Sequence, residues 1–142
     1  MKISTRGRYA LRMLLDMAQN QDAGCVSLKD IAERQAISKK YLEQIALVLS
    51  QNGILRGSRG HMGGYHLVGT PADYTVADIM QAMEGSMAPV SCLEESPNAC
   101  PRCGECQTLP VWAGLDQLIN RYLSSITLQD IMDGKVTPPE NM

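Results

Sequence analysis

The chain has 142 residues, of which 44% are hydrophobic, and a formal net charge of −2. This length allows one ordinary domain whose core needs no disulfide support, and no apolar run approaches the ~20 residues of a membrane span. Charges spread through the amino-terminal segment argue against a secretory signal, so we expect a cytoplasmic protein that does not associate with membranes.

The charge is divided unevenly along the chain. Residues 1–60 contain ten Lys or Arg and five Asp or Glu, whereas residues 61–142 contain three and ten. The first part therefore has a net charge of +5 and the second a net charge of −7. Such a division is typical of a chain whose first half faces a polyanion, although solvated surface charge is the simpler interpretation of charge alone.

Three helices are predicted in the first third of the chain. The first begins at Ser4 or Thr5, with apolar residues at helical spacing up to about residue 20. A second, short helix follows the N-cap Ser27, and a third follows the N-cap Ser38 and ends at Gly53. Only "QAI" separates the last two helices, a spacing typical of the helix-turn-helix motif.

The stretch "ILRGSRGHMGGYHLVG" predicts a β-hairpin after the third helix. Apolar and polar residues alternate at both of its ends, and four glycines lie between them. A hairpin directly after a recognition helix is a wing. Arg59 lies at its expected tip, where small neighbours allow a close approach to another surface.

Further helices are predicted around a cysteine-rich loop. Thr75 is the expected N-cap of a short amphipathic helix before the loop. A longer helix follows the loop at Pro110–Ser124, and a last short one begins after Thr127 and ends at Gly134. The apolar stripe of the longer helix comprises Trp112, Leu115, Leu118, Ile119 and Tyr122. The fold class is therefore expected to be mainly α with a small β-hairpin.

The start of the third helix has residues suited to reading DNA. In helix-turn-helix proteins the first residues of the second helix reach base edges in the major groove. Here the exposed candidates are Ser38, Lys39, Lys40, Glu43 and Gln44. Gln44 can pair with adenine and Glu43 with cytosine, whereas the lysines more often neutralise phosphate. Arg59 on the wing suits the narrow minor groove.

Four of the five cysteines lie within fifteen residues: Cys92, Cys100, Cys103 and Cys106. The CxxCxxC spacing of the last three suits a zinc site or an iron–sulfur cluster, and thiolates are soft ligands that fit either. A stable disulfide is less favoured in a reducing cytoplasm. His61 and His66 lie in the predicted wing and are not expected to bind metal. Cys25, alone before a helix, is expected to be a small buried hydrophobic side chain.

Three blocks of the sequence resemble one protein family. They are "GRYALRMLLDMA", "ISKKYLEQIALVLSQNGILRGSRGHMGGYHL", and the Cys-x7-Cys-x5-Cys run followed by "VW". Over residues 1 to about 133 the chain resembles the IscR-like winged-helix transcriptional regulators, a family that includes IscR, NsrR and CymR. The resemblance implies a homodimer that places two winged helices on a palindromic DNA operator, with a long C-terminal helix forming the dimer seam.

The resemblance also implies roles for individual residues in DNA binding. Tyr41, Glu43, Gln44 and Arg59 fall on positions that contact DNA in the family. Lys40 stands where IscR has a smaller polar residue, so we expect a different target sequence.

The cysteine pattern implies an iron–sulfur cluster. Three cysteines match the family's cluster ligands: Cys92, Cys100 and Cys106. The fourth ligand departs from the family, since Leu109 stands where IscR has a histidine and Arg8 stands where NsrR-like members have an aspartate. We therefore expect Cys103 as the fourth ligand. The cluster implied by IscR is [2Fe–2S], and a four-thiolate site also suits [4Fe–4S].

The sequence thus predicts a homodimeric DNA-binding regulator, a repressor whose operator binding is modulated by the cluster. Its expected parts are a winged helix-turn-helix domain (1–84), a cysteine-rich loop (85–109), a dimerisation helix with a short terminal helix (110–134) and a flexible tail (135–142). The alternative is a winged-helix DNA-binding protein with structural zinc or a thiol-redox switch. An electron carrier or redox enzyme is disfavoured because the chain has no cofactor fingerprint and no second cluster motif, and without a catalytic constellation we expect no enzyme.

Overall fold

A computed structural model describes residues 2–60, 63–138 and 140. The elements are α1 (Thr5–Asn20), α2 (Leu28–Gln35), α3 (Lys39–Gln51), β1 (Leu55–Ser58), β2 (Gly64–Leu67), α4 (Val76–Glu84), α5 (Leu109–Ser124) and α6 (Leu128–Met132). The predicted fold class, mainly α with a small antiparallel hairpin, is confirmed. Throughout the described ranges, no helix combines the length and apolarity needed to cross a membrane.

Helix starts follow the sequence closely. At each of the four predicted N-caps the side-chain oxygen accepts a hydrogen bond from a backbone N–H one turn into the helix, as expected for Ser27, Ser38, Thr75 and Thr127. Such a cap satisfies a donor that has no partner within the helix and is worth about 1 kcal/mol. Local chemistry therefore fixes where α2, α3, α4 and α6 begin.

The turn between α2 and α3 is as tight as predicted. Ala36 caps α2 in the left-handed region with φ 53°, and its N–H bonds to the carbonyl of Ala32. A left-handed alanine is unfavourable by roughly 1–2 kcal/mol, so the surrounding packing must hold it. Buried Ile37 provides part of that packing, and α3 starts at Lys39, three residues after Ala36.

The core lies within the amino-terminal part of the chain. The apolar faces of α1 to α4 meet in one cluster, whose largest fully buried side chains are Met13, Leu14, Met17, Ile31, Leu42, Ile45, Leu49, Ile79, Met80 and Leu128. Leu128 comes from α6, which returns to the domain along a short bridge between Thr75 and Thr127. Backbone bonds from Val76 N–H to Ile126 (2.8 Å) and from Leu128 N–H to Tyr74 (3.0 Å) hold α6 there.

The hairpin is fastened to the helical domain. Its strands pair from Leu55 opposite Leu67 to Ser58 opposite Gly64, so β1 begins one residue later than its predicted start at Ile54. Tyr65 also exchanges two backbone hydrogen bonds with Val26, at 2.8 and 2.9 Å. Any side chain at Gly64 would collide with the Val26 carbonyl, so glycine is required there.

Helix α5 differs from the other long helices because none of its 16 residues is buried. One side, with Ile119 and Leu123, is half-buried against the domain. The other side presents Val111, Leu118 and Tyr122, which are 61%, 62% and 48% exposed. The predicted helix is confirmed, and much of its apolar stripe has no partner within the described chain.

Candidate nucleic-acid interface and cysteine site

The first two turns of α3 present an exposed polar face. All five side chains predicted there are exposed: Ser38, Lys39, Lys40, Glu43 and Gln44. The opposite face of α3 is buried in the core, so its orientation is fixed. The first turn contains no acidic residue, and the positive end of the helix dipole therefore adds to the two lysine charges. This surface suits phosphate and base edges.

Tyr41 stands beside this face and is half-buried. Its ring packs edge-on against Tyr9 of α1, with centroids 5.6 Å apart and planes at 79°. The Arg12 guanidinium lies 5.4 Å from the Tyr9 ring centroid and donates to the backbone carbonyl and the side chain of Gln35, at the end of α2. These contacts connect all three helices of the helix-turn-helix region.

A buried carboxylate ties α1 to α2. Asp16 is only 3% exposed and accepts hydrogen bonds from Arg34, the shortest at 2.7 Å, and from Gln35 at 3.0 Å. Burial alone would raise the Asp16 pKa, but the hydrogen bonds from Arg34 and Gln35 and the arginine charge outweigh it and lower that pKa below 3.8. The last turn of α2, next to Ala36, is thereby held in place.

The wing carries the other predicted DNA contact. Arg59 is exposed directly after β1, where the hairpin turns. His61 lies outside the described residues. His66 lies in β2, with its Nδ1 3.6 Å from the Cys25 sulfur. Cys25 is half-buried, and its sulfur is within hydrogen-bonding distance of this imidazole, so the expectation of a small buried hydrophobic side chain was wrong.

All four clustered cysteines are free and half-buried in the loop between α4 and α5. Cys92 lies in a single helical turn at Ser91–Leu93. Cys92 and Cys100 line one surface recess, and Cys100 and Cys106 line a second one. Cys103 follows Cys100 in a tight turn closed by a 3.1 Å backbone bond. In this conformation, no three Cys, His, Asp or Glu side chains of the described chain converge closely enough to hold a metal ion.

Cys106 has the most distinctive local chemistry of the four thiols. Its sulfur lies 3.4 Å from the Thr108 hydroxyl. The hydrogen bond from this hydroxyl, aided by backbone N–H groups and the charge of Arg102, lowers the pKa of the Cys106 thiol below its ordinary value. Thiolate, the form that binds metals, is therefore favoured at Cys106.

A carboxylate connects the start of this loop to α1. Glu84, the last residue of α4, accepts hydrogen bonds from the Ser4 backbone N–H at 3.0 Å and the Ser4 hydroxyl at 2.5 Å. Ser4 in turn is the N-cap of α1 through Gly7 N–H. A side chain at Gly7 would collide with the Glu84 carboxylate, so the contact depends on glycine at that position.

Comparison with known proteins agrees with this architecture. The family described as Rrf2, iron-dependent transcriptional regulator, matches residues 3–134. The chain belongs to the Rrf2 family. The protein rrf2 of Nitratidesulfovibrio vulgaris (strain Hildenborough) is 43% identical over 141 residues, covering 99% of this chain and 93% of that protein.

Two solved Rrf2-type structures share the fold. IscR from T. potens superposes with a TM-score of 0.74 at 35% identity, covering 99% of this chain and 94% of its own. CymR, the global cysteine regulator of B. subtilis, superposes with a TM-score of 0.75 at 33% identity, covering 92% and 95%. The resemblance stated from sequence is confirmed. Because its relatives are transcriptional regulators and not enzymes, this Rrf2 protein is a DNA-binding regulator.

Several residues that shape the site were missed by sequence reasoning. The Asp16 ion pair had a readable signal, since a lone carboxylate inside the apolar run of α1 needs a buried partner. Leu47 also had a signal, because it follows Lys40 by seven residues and so shares its helical face, where it lies 59% exposed. The bond between Ser4 and Glu84 joins residues 80 positions apart and is visible only in the fold.

Proposed function

We propose that this Rrf2 protein is a homodimeric repressor that binds a palindromic operator and senses its signal through an iron–sulfur cluster. Three cysteines, Cys92, Cys100 and Cys106, would bind the cluster, with Cys103 as the fourth ligand. The observation that carries the proposal is the position of the four free thiols. They lie between Glu84, bonded to α1, and α5, whose apolar face is uncovered.

For DNA recognition, the exposed face of α3 enters the major groove. Gln44 reads an adenine and Glu43 a cytosine, while Lys39 and Lys40 neutralise phosphates. Arg59 extends from the wing toward the minor groove. The rigid contacts of α3 with α1 and α2 support this assignment, because base recognition requires a reading helix with little freedom to tilt.

For assembly, the occupant of the exposed side of α5 is the same helix of a second chain. An apolar groove of about 370 Å³ runs beside it, lined by Ile3, Met87, Ile119, Tyr122 and Leu123. A 16-residue helix with no fully buried residue gains little stability from packing on its own domain. Pairing of two copies along α5 buries Leu118 and places two α3 helices on one operator, as a palindrome requires.

The cysteine loop suits a cluster by the chemistry of its donors. Four soft thiolates satisfy the usual ligand number for either cluster type, and the Cys106 thiol is already predisposed to ionise. When bound, the cluster would supply iron–sulfur redox chemistry and sensitivity to iron, oxygen or nitric oxide. Among the residues that the structure describes, the loop makes no long-range hydrogen bond, so its thiols can be drawn together without breaking the core.

A change in the loop has a direct path to the DNA-binding domain. The loop begins at Gly85, immediately after Glu84. Because the Glu84 carboxylate holds the N-terminus of α1, a shift of the loop pulls on α1, whose Tyr9 and Arg12 contact α3 and α2. Gathering the thiols therefore alters how α3 is presented to DNA.

The test is purification under anaerobic conditions, with iron, sulfide and zinc analysis, followed by selection of bound duplexes from a random DNA pool. We expect iron and sulfide at cluster stoichiometry and enrichment of a palindrome. Cys106→Ser should lose iron, whereas the matched control Cys25→Ser, outside the loop, should retain it. A monomer that enriches no sequence would contradict the proposed function.

The second candidate function keeps DNA binding but replaces the cluster with structural zinc or a thiol-redox switch. It is supported by the four free, half-buried thiols, because this donor set suits zinc or reversible thiol oxidation as well as a cluster. Colourless protein with stoichiometric zinc, or with no metal and a redox-dependent affinity, would support this alternative over the cluster.

A further inference from the structure

An asparagine organises the centre of the cysteine loop. The Asn98 side-chain oxygen accepts a 2.8 Å hydrogen bond from the Cys100 backbone N–H. Its backbone carbonyl lies 3.9 Å from the Cys103 sulfur. Asn98 therefore contacts the turn that presents two of the four thiols, and its side chain is partly enclosed by the loop.

The amide nitrogen of the same side chain has no acceptor. Within the described residues, only two buried side-chain polar atoms lack a hydrogen-bond partner, and Asn98 Nδ2 is one of them. Because the oxygen is committed to Cys100, the amide cannot gain by flipping. A buried donor without an acceptor is unfavourable and calls for an explanation such as an absent ligand.

We propose that Asn98 Nδ2 donates a hydrogen bond to a sulfur of the iron–sulfur site, either a ligating thiolate or a bound sulfide. This inference rests on the proposed cluster and assigns Asn98 as a positioning residue that is not itself a ligand. The loop supplies sulfur near Asn98, since the Cys103 sulfur lies 3.9 Å from its backbone carbonyl and Cys100 follows it two residues later in the chain. Drawing the thiols together brings acceptors to the unsatisfied donor.

The hydrogen bond has a measurable consequence for the cluster. Reduction adds negative charge to the iron and sulfur atoms, so a donor to sulfur stabilises the reduced form more than the oxidised form. Asn98 therefore raises the reduction potential. Its two functions are separable, because the oxygen caps Cys100 and only the nitrogen would face sulfur.

Two variants separate these functions. Asn98→Ala removes both the acceptor and the donor, whereas Asn98→Asp retains an oxygen for the Cys100 N–H and removes the donor. Since aspartate also adds a negative charge, Gln107→Glu, exposed in the same loop, is the matched charge control. The readouts are the midpoint potential and the Fe–S stretching bands recorded in H₂O and D₂O by resonance Raman spectroscopy.

We expect Asn98→Ala to disfavour reduction about tenfold, equivalent to about 59 mV for a one-electron couple. Both Asn98 variants should lose part of the D₂O shift of the Fe–S bands, and Gln107→Glu should retain all of it. Unchanged potentials and D₂O shifts in both Asn98 variants would overturn the inference. A second outcome would also overturn it: Asn98→Asp keeps the wild-type D₂O shifts while Asn98→Ala loses iron. In that case the Asn98 oxygen would only cap the loop, and its nitrogen would not contact the cluster.

The control for the proposed function itself is the wild-type protein. If it lacks iron and sulfide after anaerobic purification, the cluster and the role of Asn98 are both overturned. If it has the cluster and the Asn98 variants behave as wild type, only the role of Asn98 is overturned.

Discussion

The two halves of this protein are built in opposite ways. The winged-helix part buries the side chains of α1 to α4 around one core, with a carboxylate, Asp16, that has every partner it needs. In the following part, no side chain of α5 is fully buried and several of its apolar side chains face solvent. The loop before α5 contains a buried amide donor, Asn98 Nδ2, that has no acceptor. The first half is also positively charged and the second negatively charged.

This contrast separates folding from regulation. The winged-helix part has a continuous buried core and a paired buried carboxylate, although Ser50 Oγ in α3 lacks a partner, and its fold is determined by its own sequence. A part with unpartnered apolar and polar groups gains free energy when something else arrives. On the proposed function, a second chain covers α5 and a cluster gathers the loop, so regulation acts where the chain alone is incomplete.

The largest expected difference between the halves is in stability. Leu42→Ala, in the core, should lower the free energy of unfolding by about 2–5 kcal/mol, because it removes a fully buried side chain. Leu118→Ala, on α5, should change monomer unfolding by less than about 0.5 kcal/mol. Urea denaturation at low protein concentration measures both, and similar losses would show that α5 belongs to the monomer core.

The second prediction concerns assembly. Leu118→Glu should convert the dimer to a monomer, because a charge on the proposed seam cannot be desolvated. The affinity for a palindromic operator should then fall by roughly 100-fold or more, since linked binding of two half-sites is lost. Sedimentation and fluorescence anisotropy are the measurements. Gln117→Glu adds the same charge on the polar side of α5 and should leave both properties unchanged; an equal effect from this control would contradict the assignment.

The third prediction tests whether the amino-terminal half depends on its buried carboxylate. Asp16→Asn should lower the free energy of unfolding by about 1–3 kcal/mol, because Arg34 and Gln35 lose their charged acceptor. The folded-state pKa of Asp16 lies below its ordinary 3.8, so the carboxylate's contribution is present above that pH and is lost as pH falls through the folded-state value.

The stability difference between wild type and Asp16→Asn should accordingly stay constant well above pH 3.8 and shrink as pH falls below that value. Asp22→Asn, exposed just after α1, is the control and should show no such convergence. If the difference in unfolding free energy between wild type and Asp16→Asn did not change with pH, protonation of Asp16 would not affect stability.

The fourth prediction distinguishes base reading from charge neutralisation on α3. Gln44→Ala should lose about 1–3 kcal/mol of discrimination at one base pair and relax specificity there. Lys40→Gln should weaken binding to all sequences alike and reduce the salt dependence by about one ion. Competition binding at several salt concentrations resolves the two. If Gln44→Ala weakened binding to all sequences equally, Gln44 would contact the DNA backbone and not a base.

Sequence reasoning succeeded where structure is local. Four helix starts were predicted from the residue type of their N-caps, Ser27, Ser38, Thr75 and Thr127. The glycines around Arg59 indicated the wing, so the fold could be predicted.

Distant contacts were less accessible. The bond from Ser4 to Glu84 depends on where two helices meet, and the imidazole next to Cys25 depends on the pairing of β2 with Val26. The ligand set of the cysteine loop stays a prediction. The cysteine spacing identifies candidate thiols, but it does not determine how a loop that makes no long-range hydrogen bond to the described residues will close.

The most direct test is an anisotropy titration of the selected operator with cluster-loaded protein and with the same preparation after cluster removal, both anaerobic and both dimeric. The proposed coupling through Glu84 predicts that affinity or site preference differs by at least about tenfold, or 1.4 kcal/mol, between the two forms. Identical affinities and identical site preferences would contradict it, leaving a DNA-binding protein whose cysteine loop plays no part in regulation.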